Sequence, residues 1–382
     1  MQVKPFDYLL LKIAMRCNID CTYCYWFRDA SVFAKPKTLT ENAQAALLEK
    51  LEAHVVSHAL REFSILLHGG EPLLFGKARF ILLCQQLESL HARTNCVVHL
   101  SMTTNGLLLD AEWIKILLEF KVDVTVSIDG PKEIHDRRRI DFKGRGTFDG
   151  VEASIKRLLQ AGKVPGVLSV CDPESNPKDI VQYLVEQLGI KKFDVLVPDC
   201  TREDRPIPIA DYFIKLFDLW FDDYGRRGVD IRYLRSMVKG LLGGVSKVES
   251  IGYGPINTVC MLTDGSLEPL DVIRIAGNEA TKTDLNIFEN TFEDLKKCAL
   301  WADAYASSLQ PCAECRKCEY IQACGGGFLP HRYSTDRGFD NPSVYCEDLK
   351  VIFKHIWSRI APQIHVVALN GELAQRLSSV ED

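Results

Sequence analysis

The chain has 382 residues, 47% hydrophobic and 25% charged, an ordinary globular composition with enough apolar material for a large core. Its net charge of -5 excludes the basic balance usual for nucleic-acid binding. Apolar runs such as Tyr8 to Leu11 and Ile116 to Leu118 are too short to span a bilayer, and Met1 to Asp7 lacks the apolar stretch of a signal peptide, so a soluble cytoplasmic protein with no membrane partner is expected.

From residue 8 to about 200, short β-branched runs alternate with longer amphipathic ones. The expected strands are Tyr8–Met15, Phe63–Leu67, Val97–Met102, Val122–Ile128, Gly166–Cys171 and Phe193–Val197. The expected helices between them are Glu41–Leu60, Ala78–His91, Ala111–Phe120, Phe148–Ala161 and Lys178–Leu188. Thr40 and Asp110 stand where N-caps belong, and Gly162 and Gly189 where helices end. Six strands separated by helices predict βαβ units on a parallel sheet, more naturally a partial (β/α)6 barrel than a closed eight-stranded one. Ligands of such folds bind at the carboxyl ends of the strands.

A helix over Ile209–Tyr224 closes this unit, and Arg226 to Gly254 reads as a connector with a short helix. The domains expected are 1–228 for the barrel, 229–255 for the connector, 256–348 for a loop-rich module and 349–382 for a C-terminal helix and tail. The module opens on a hairpin turn at Thr263 to Ser266. The last helix should place Leu349, Ile352, Phe353, Ile356 and Trp357 on one face.

The fourteen cysteines are the anomaly, because a cysteine-dense chain in a reducing compartment points to metal rather than disulfides. Cys84, Cys96 and Cys171 sit singly in apolar surroundings and read as small buried hydrophobes; Cys200 and Cys298 are also isolated. Cys17, Cys21 and Cys24 follow the first strand with C-x3-C-x2-C spacing. Three thiolates on one tight loop can grip three corners of a cubane cluster and leave its fourth iron open. A zinc knuckle would want a fourth ligand close by, and the next histidine is His54.

This spacing, with an aromatic before the last cysteine, resembles the radical S-adenosylmethionine (SAM) superfamily signature. The resemblance covers residues 8–200. His68-Gly69-Gly70-Glu71-Pro72 follows the second strand like the family's GGEP motif, Thr103 to Gly106 follows the third, and Ser127 to Pro131 the fourth. The resemblance implies SAM contacts from Tyr23, Gly69, Gly70, Glu71, Pro72, Asn105, Ser127 and Asp129, with a 4Fe–4S cluster on Cys17, Cys21 and Cys24.

The later run Cys312, Cys315, Cys318, Cys324 and Cys346, with Cys260 upstream, resembles a SPASM domain, whose usual pattern holds two auxiliary 4Fe–4S clusters. Cys315, Cys318, Cys324 and Cys346 match the ligands of the second. For the first, a cysteine is usual just beyond the hairpin, where this chain has Gly265 to Asp271, and another four residues after Cys324, where it has Phe328. Cys260 and Cys312 remain as candidates, so that cluster is either absent or held with an open iron. One or two auxiliary clusters are therefore expected, and zinc on the C-x2-C pairs is the bland alternative.

The segments Cys324 to Tyr333, Gly338 to Cys346 and Ile134 to Arg139 look like those of maturases of ribosomally made peptides, closest to the cyclophane-forming type. That implies a 5′-deoxyadenosyl radical abstracting hydrogen from a precursor peptide and forming a carbon–carbon cross-link. An electron donor such as flavodoxin or ferredoxin is implied as a partner. The first strand starts at residue 8, so leader recognition is expected to fall to the barrel, the module or a separate leader-binding protein. Formylglycine formation on a sulfatase, thioether formation, and a non-catalytic iron–sulfur scaffold are the alternatives. Asp271, beside Leu270 and Val272, is the candidate base, with a pKa raised by burial; a hydrogen bond from Arg274 is its structural alternative.

Overall fold

The computed structural model of the chain describes residues 4–246, 248–277 and 279–378, with the backbone alone from residue 365 onward. Its centre is a nine-stranded sheet. Six parallel strands correspond to the six expected: β1 (Tyr8–Ala14), β2 (Glu62–Gly69), β3 (Val97–Thr104), β4 (Asp123–Ser127), β5 (Gly166–Val170) and β6 (Lys192–Leu196). They lie in chain order, as right-handed βαβ units require. The intervening helices are α1 (Glu41–Ser57), α2 (Lys77–Thr94), α3 (Ala111–Glu119), α4 (Phe148–Gln160) and α5 (Pro177–Gln182). α6 (Ala210–Leu219) follows, and both α5 and α6 run on into a turn of π-helix.

The short β7 (Asp230–Ile231) extends one edge beyond β6 and leads into α7 (Arg232–Leu241). At the other edge β8 (Val259–Met261) pairs parallel with β1, and β9 (Leu267–Glu268) returns antiparallel through the expected turn. The sheet thus continues across the boundary expected near 255, joining the C-terminal segment to the first strand.

The local reasons are those read from the sequence. Thr40 Oγ1 accepts from Ala43 N at 3.2 Å and Asp110 Oδ1 from Trp113 N at 2.8 Å, each satisfying an orphan amide of a first helical turn. Gly162 and Gly189 take positive φ at 78° and 68° where helices close. β1 is buried on both faces, as a strand covered by helices must be, and carries one charge, Lys12, into that interior. Helix α8 (Ala299–Leu309) packs in the loop-rich module, and α9 (Cys346–Ser378) closes the fold against α6 and α7. α9 buries Leu349, Ile352, Phe353 and Ile356 but leaves Trp357 43% exposed, against expectation, because one further residue turns it about 100° off that face.

Cys84, Cys96 and Cys171 are fully buried in the main apolar core. Among the described residues no helix is long and apolar enough to cross a membrane. Replacing Thr40 by Ala should remove one cap and lower unfolding stability by about 1 kcal/mol, read as a lower denaturant midpoint at unchanged slope.

Candidate functional site

The carboxyl end of β1 becomes the loop that carries Cys17, Cys21 and Cys24, and the neighbouring strand ends hold it in place. Gly69 and Gly70 are demanded by the chain itself. A Cβ on Gly69 would fall 2.0 Å from the Ala14 carbonyl oxygen, and one on Gly70 would fall 2.4 Å from that of Arg16. Through this contact Gly70 N donates to Ala14 O at 2.9 Å and Glu71 N to Arg16 O at 2.8 Å, immediately before Cys17. Pro72 starts the following 3-10 turn.

Glu71 is fully buried and its carboxylate joins two strand ends. It accepts from Thr104 Oγ1 at 2.7 Å, Asn105 N at 2.8 Å and Leu73 N at 3.0 Å. Burial nevertheless lifts its pKa above the usual range. Asn105 in turn donates to Asn18 Oδ1 at 2.7 Å and to Cys17 Sγ at 3.5 Å. Ser127 ends β4 half-buried.

A second tie crosses the loop's far side. Asp20–Cys21 pairs antiparallel with Arg139–Ile140, Tyr23 Oη donates to Asp129 Oδ2 at 2.7 Å, and Arg139 Nη1 donates to Tyr23 Oη at 2.6 Å. Arg139 is buried, and its Nε has no hydrogen-bond partner among the described residues. Burial pushes the thiols of Cys17 and Cys21 up to about 12 and about 11, and Cys24 in the same direction. Thiols so placed lose their protons to a metal rather than to water. The three thiols, the orphaned Arg139 donor beside Cys21 and the strand-end cradle fit an anionic cluster with a small polar ligand.

Asp271 differs from its expectation. It is 1% exposed, and Lys12 Nζ donates to Oδ2 at 2.5 Å while Tyr25 Oη donates to the same oxygen at 2.6 Å. Burial alone would raise its pKa, but the Lys12 ammonium and the hydrogen bonds from Lys12 and Tyr25 outweigh it and hold it at about 2. The raised value expected from apolar neighbours is therefore reversed, because a charge on β1 reaches it. Arg274 does not bond Asp271; it pairs with Asp29 and, at 2.5 Å, with Glu268. Lys12 Nζ also lies 2.9 Å from His68 Nδ1 and 4.0 Å from the centre of the Trp26 ring. Burial and Lys12 drive His68 down to about 3, so its ring is neutral.

Sequence reasoning missed Lys12, Tyr25, Asp199 and Glu249; a lysine inside the apolar run of β1 was the available signal for the first. Burial and the Asp271 charge raise Asp199 to about 7. Glu249 keeps contact with solvent, yet protein surrounds it closely enough for the same two causes to lift it to about 7.

The later cysteines separate into two places. Cys315, Cys318, Cys324 and Cys346 line one cavity, and Cys312 lies behind, sharing a thiol hydrogen bond with Cys315. Cys260 is elsewhere, wholly buried in β8 beside Leu10, Met15, Trp26, Val32 and Leu262. Cys260 thus lies on a strand of the central sheet, and Cys312 at the start of the short helix that carries Cys315.

Residues 11–184 match the sequence profile described as the Radical SAM superfamily. A cysteine-type anaerobic sulfatase-maturating enzyme of Clostridium perfringens (strain 13) is 30% identical over 93% of this chain and 97% of its own length. A serine-type anaerobic sulfatase-maturating enzyme of Bacteroides thetaiotaomicron is 32% identical over 42% of this chain and 38% of its own. The solved structure of native anSMEcpe with bound AdoMet superposes with a TM-score of 0.79 at 26% identity, over 95% of this chain and 99% of that one.

Lys12→Met should strand the Asp271 carboxylate and cost about 3–5 kcal/mol, with Asp271→Asn in the same background recovering part of it. Asp271 is depressed when folded, so the pair's contribution is present above the unfolded carboxylate pKa and is lost as pH falls toward about 2. Unfolding titrations of the wild type and the double variant against pH should show that loss in the wild type alone.

Proposed function

Because the chain belongs to the radical SAM superfamily, in the family that includes the cysteine-type anaerobic sulfatase-maturating enzymes, we propose that it oxidises a cysteine or serine side chain of a peptide or protein substrate. The observation that carries this reading is likeness along the whole chain, C-terminal module included, rather than over the barrel alone.

Cys17, Cys21 and Cys24 would hold the 4Fe–4S cluster, and Tyr23, Gly69, Gly70, Glu71, Pro72, Asn105, Ser127 and Asp129 would surround SAM. Cys315, Cys318, Cys324 and Cys346 would hold an auxiliary cluster. Once loaded, cluster and SAM supply an adenosyl radical able to take hydrogen from an unactivated carbon. The chain's residues do the rest. Glu71 and Asn105 fix the strand ends against the cysteine loop, and Asp129 with Arg139 fixes Tyr23. Asp271, held as an anion by Lys12, fixes a charge beside Tyr25 instead of taking protons. Asp199 and Glu249, poised near neutrality, suit the proton that side-chain oxidation releases. A flavodoxin or ferredoxin would deliver the reducing electron.

A cyclophane or thioether cross-link is the second reading, favoured by the likeness of Cys324 to Tyr333 and Gly338 to Cys346 to cross-linking maturases. The test is anaerobic incubation of reconstituted protein with SAM, a reductant and a sulfatase-type peptide carrying cysteine. The reading expects 5′-deoxyadenosine and a peptide that has lost its sulfur; a product lacking only two hydrogens selects the cross-link. Wild-type 5′-deoxyadenosine from the Cys17→Ala, Cys21→Ala, Cys24→Ala protein would overturn both.

A further inference from the structure

We propose that this chain carries a single auxiliary cluster, set against the buried Arg332 guanidinium, and that the place of the other has been rebuilt as an apolar and ion-paired wall behind Asp271. The proposal deepens the functional reading above and rests on its assignment of Cys17, Cys21 and Cys24.

The first half stands on Arg332. Its side chain is 3% exposed, and its Nη1 donates to Ser307 O at 2.8 Å. Nη2 donates to Gly325 O at 2.8 Å and to Gly327 O at 2.9 Å. Those acceptors are neutral carbonyls, Nε has no partner, and no carboxylate pairs with this guanidinium among the described residues. A buried cation without a counter-charge is costly, and the neighbouring groups best placed to supply one are the sulfurs of Cys324 and Cys315, ahead of Cys312 and the Tyr253 hydroxyl.

The glycine run serves the same arrangement. Gly325, Gly326 and Gly327 take φ of 63°, 89° and 75°, which wraps their carbonyls around the guanidinium. A Cβ on Gly326 would lie 2.9 Å from its central carbon. Four thiolates lining one cavity, with an orphaned donor on a buried cation beside them, fit an anionic cluster whose charge Arg332 balances. A net-neutral site needing no counter-ion would leave Arg332 unexplained. Cys312, behind Cys315 at the start of the same short helix, then touches a ligand sulfur without lining the cavity itself.

The second half stands on what fills the other place. Leu270, beyond the hairpin, is 2% exposed and packs with Ile256, Ile273, Ala304, Leu329 and Phe339. Phe328, four residues after Cys324, is buried edge-on to His331, with ring centres 5.2 Å apart. Among the described residues Cys260 is the one thiol of its apolar cluster besides Cys24, which belongs to the first cysteine loop, and the charged groups nearest it are Asp271, Lys12, Glu268 and Arg274. Those four are already engaged: Lys12 with Asp271, and Arg274 with Glu268 and Asp29, the two cations stacked on Trp26. One thiol among satisfied ion pairs and close-packed leucine, isoleucine and phenylalanine cannot chelate a cubane.

The experiment is iron and sulfide analysis of the anaerobically reconstituted full chain, with redox titration followed by electron paramagnetic resonance. Wild type, Cys260→Ala and Cys312→Ala should each bind about eight irons, and Cys318→Ala about four. The Cys17→Ala, Cys21→Ala, Cys24→Ala protein should keep about four, carried by the auxiliary site; failure there faults the SAM-cluster assignment and not the auxiliary count. Arg332→Gln should shift the auxiliary potential to more negative values, because a positive charge beside the cluster favours its reduced form, and Arg332→Lys should restore it. About twelve irons in the wild type, or loss of about four in Cys260→Ala, would overturn the single-cluster half. Loss of about four in Cys312→Ala would make Cys312 a ligand and overturn its place behind the ligand set. An unchanged potential in Arg332→Gln would overturn the charge-balance half. If Arg332→Gln does not fold, the Arg332→Lys potential decides it, a wild-type value supporting and an Arg-specific loss of the cluster contradicting the role of charge alone.

Discussion

A buried ammonium on the first strand ties the two ends of the chain into one site. Lys12 and Asp271 stand 259 residues apart, both essentially inaccessible, and meet at 2.5 Å. Their union depends on β8 pairing with β1, which brings the hairpin and Asp271 over the strand that leads to the cysteine loop. Removing either partner leaves an uncompensated charge in the interior, so the barrel end and the C-terminal segment are energetically coupled there. The same ammonium keeps His68 neutral, depresses Asp271 and lies over the Trp26 ring, which Arg274 also contacts.

From that coupling the electrostatics around Asp271 follow. Asp271 stays charged down to about pH 2, so it contributes field and orientation. Its fixed charge, added to their own burial, is what lifts Asp199 and Glu249 into the neutral range. On the other side of the sheet end, Glu71 and Asp129 spend their oxygens on Thr104, Asn105, Tyr23 and Val170, which makes the cradle rigid before any ligand enters.

The βα alternation was legible because strand and helix periods differ and because Thr40 and Asp110 are caps by chemistry as well as by position. The loop of Cys17, Cys21 and Cys24 was legible because close spacing alone forces the thiols together. Long-range partners were not. Nothing local distinguishes Asp271 beside Leu270 from an aspartate in an apolar pocket; only the fold brings Lys12 to it. Cys260 shows the same limit: a cysteine followed by a turn reads equally as a ligand or as the interior of a strand, and its pairing with Leu10 of β1 places it in the sheet. Trp357 shows the limit of period counting at a helix face's edge.

The central claim is that a cluster on Cys17, Cys21 and Cys24 keeps one iron open to SAM at the end of β1. Low-temperature electron paramagnetic resonance of the reduced, reconstituted protein, recorded with and without SAM, tests it most directly. The account predicts that SAM shifts the signal of one cluster and leaves the auxiliary signal unchanged. A spectrum wholly insensitive to saturating SAM would contradict it.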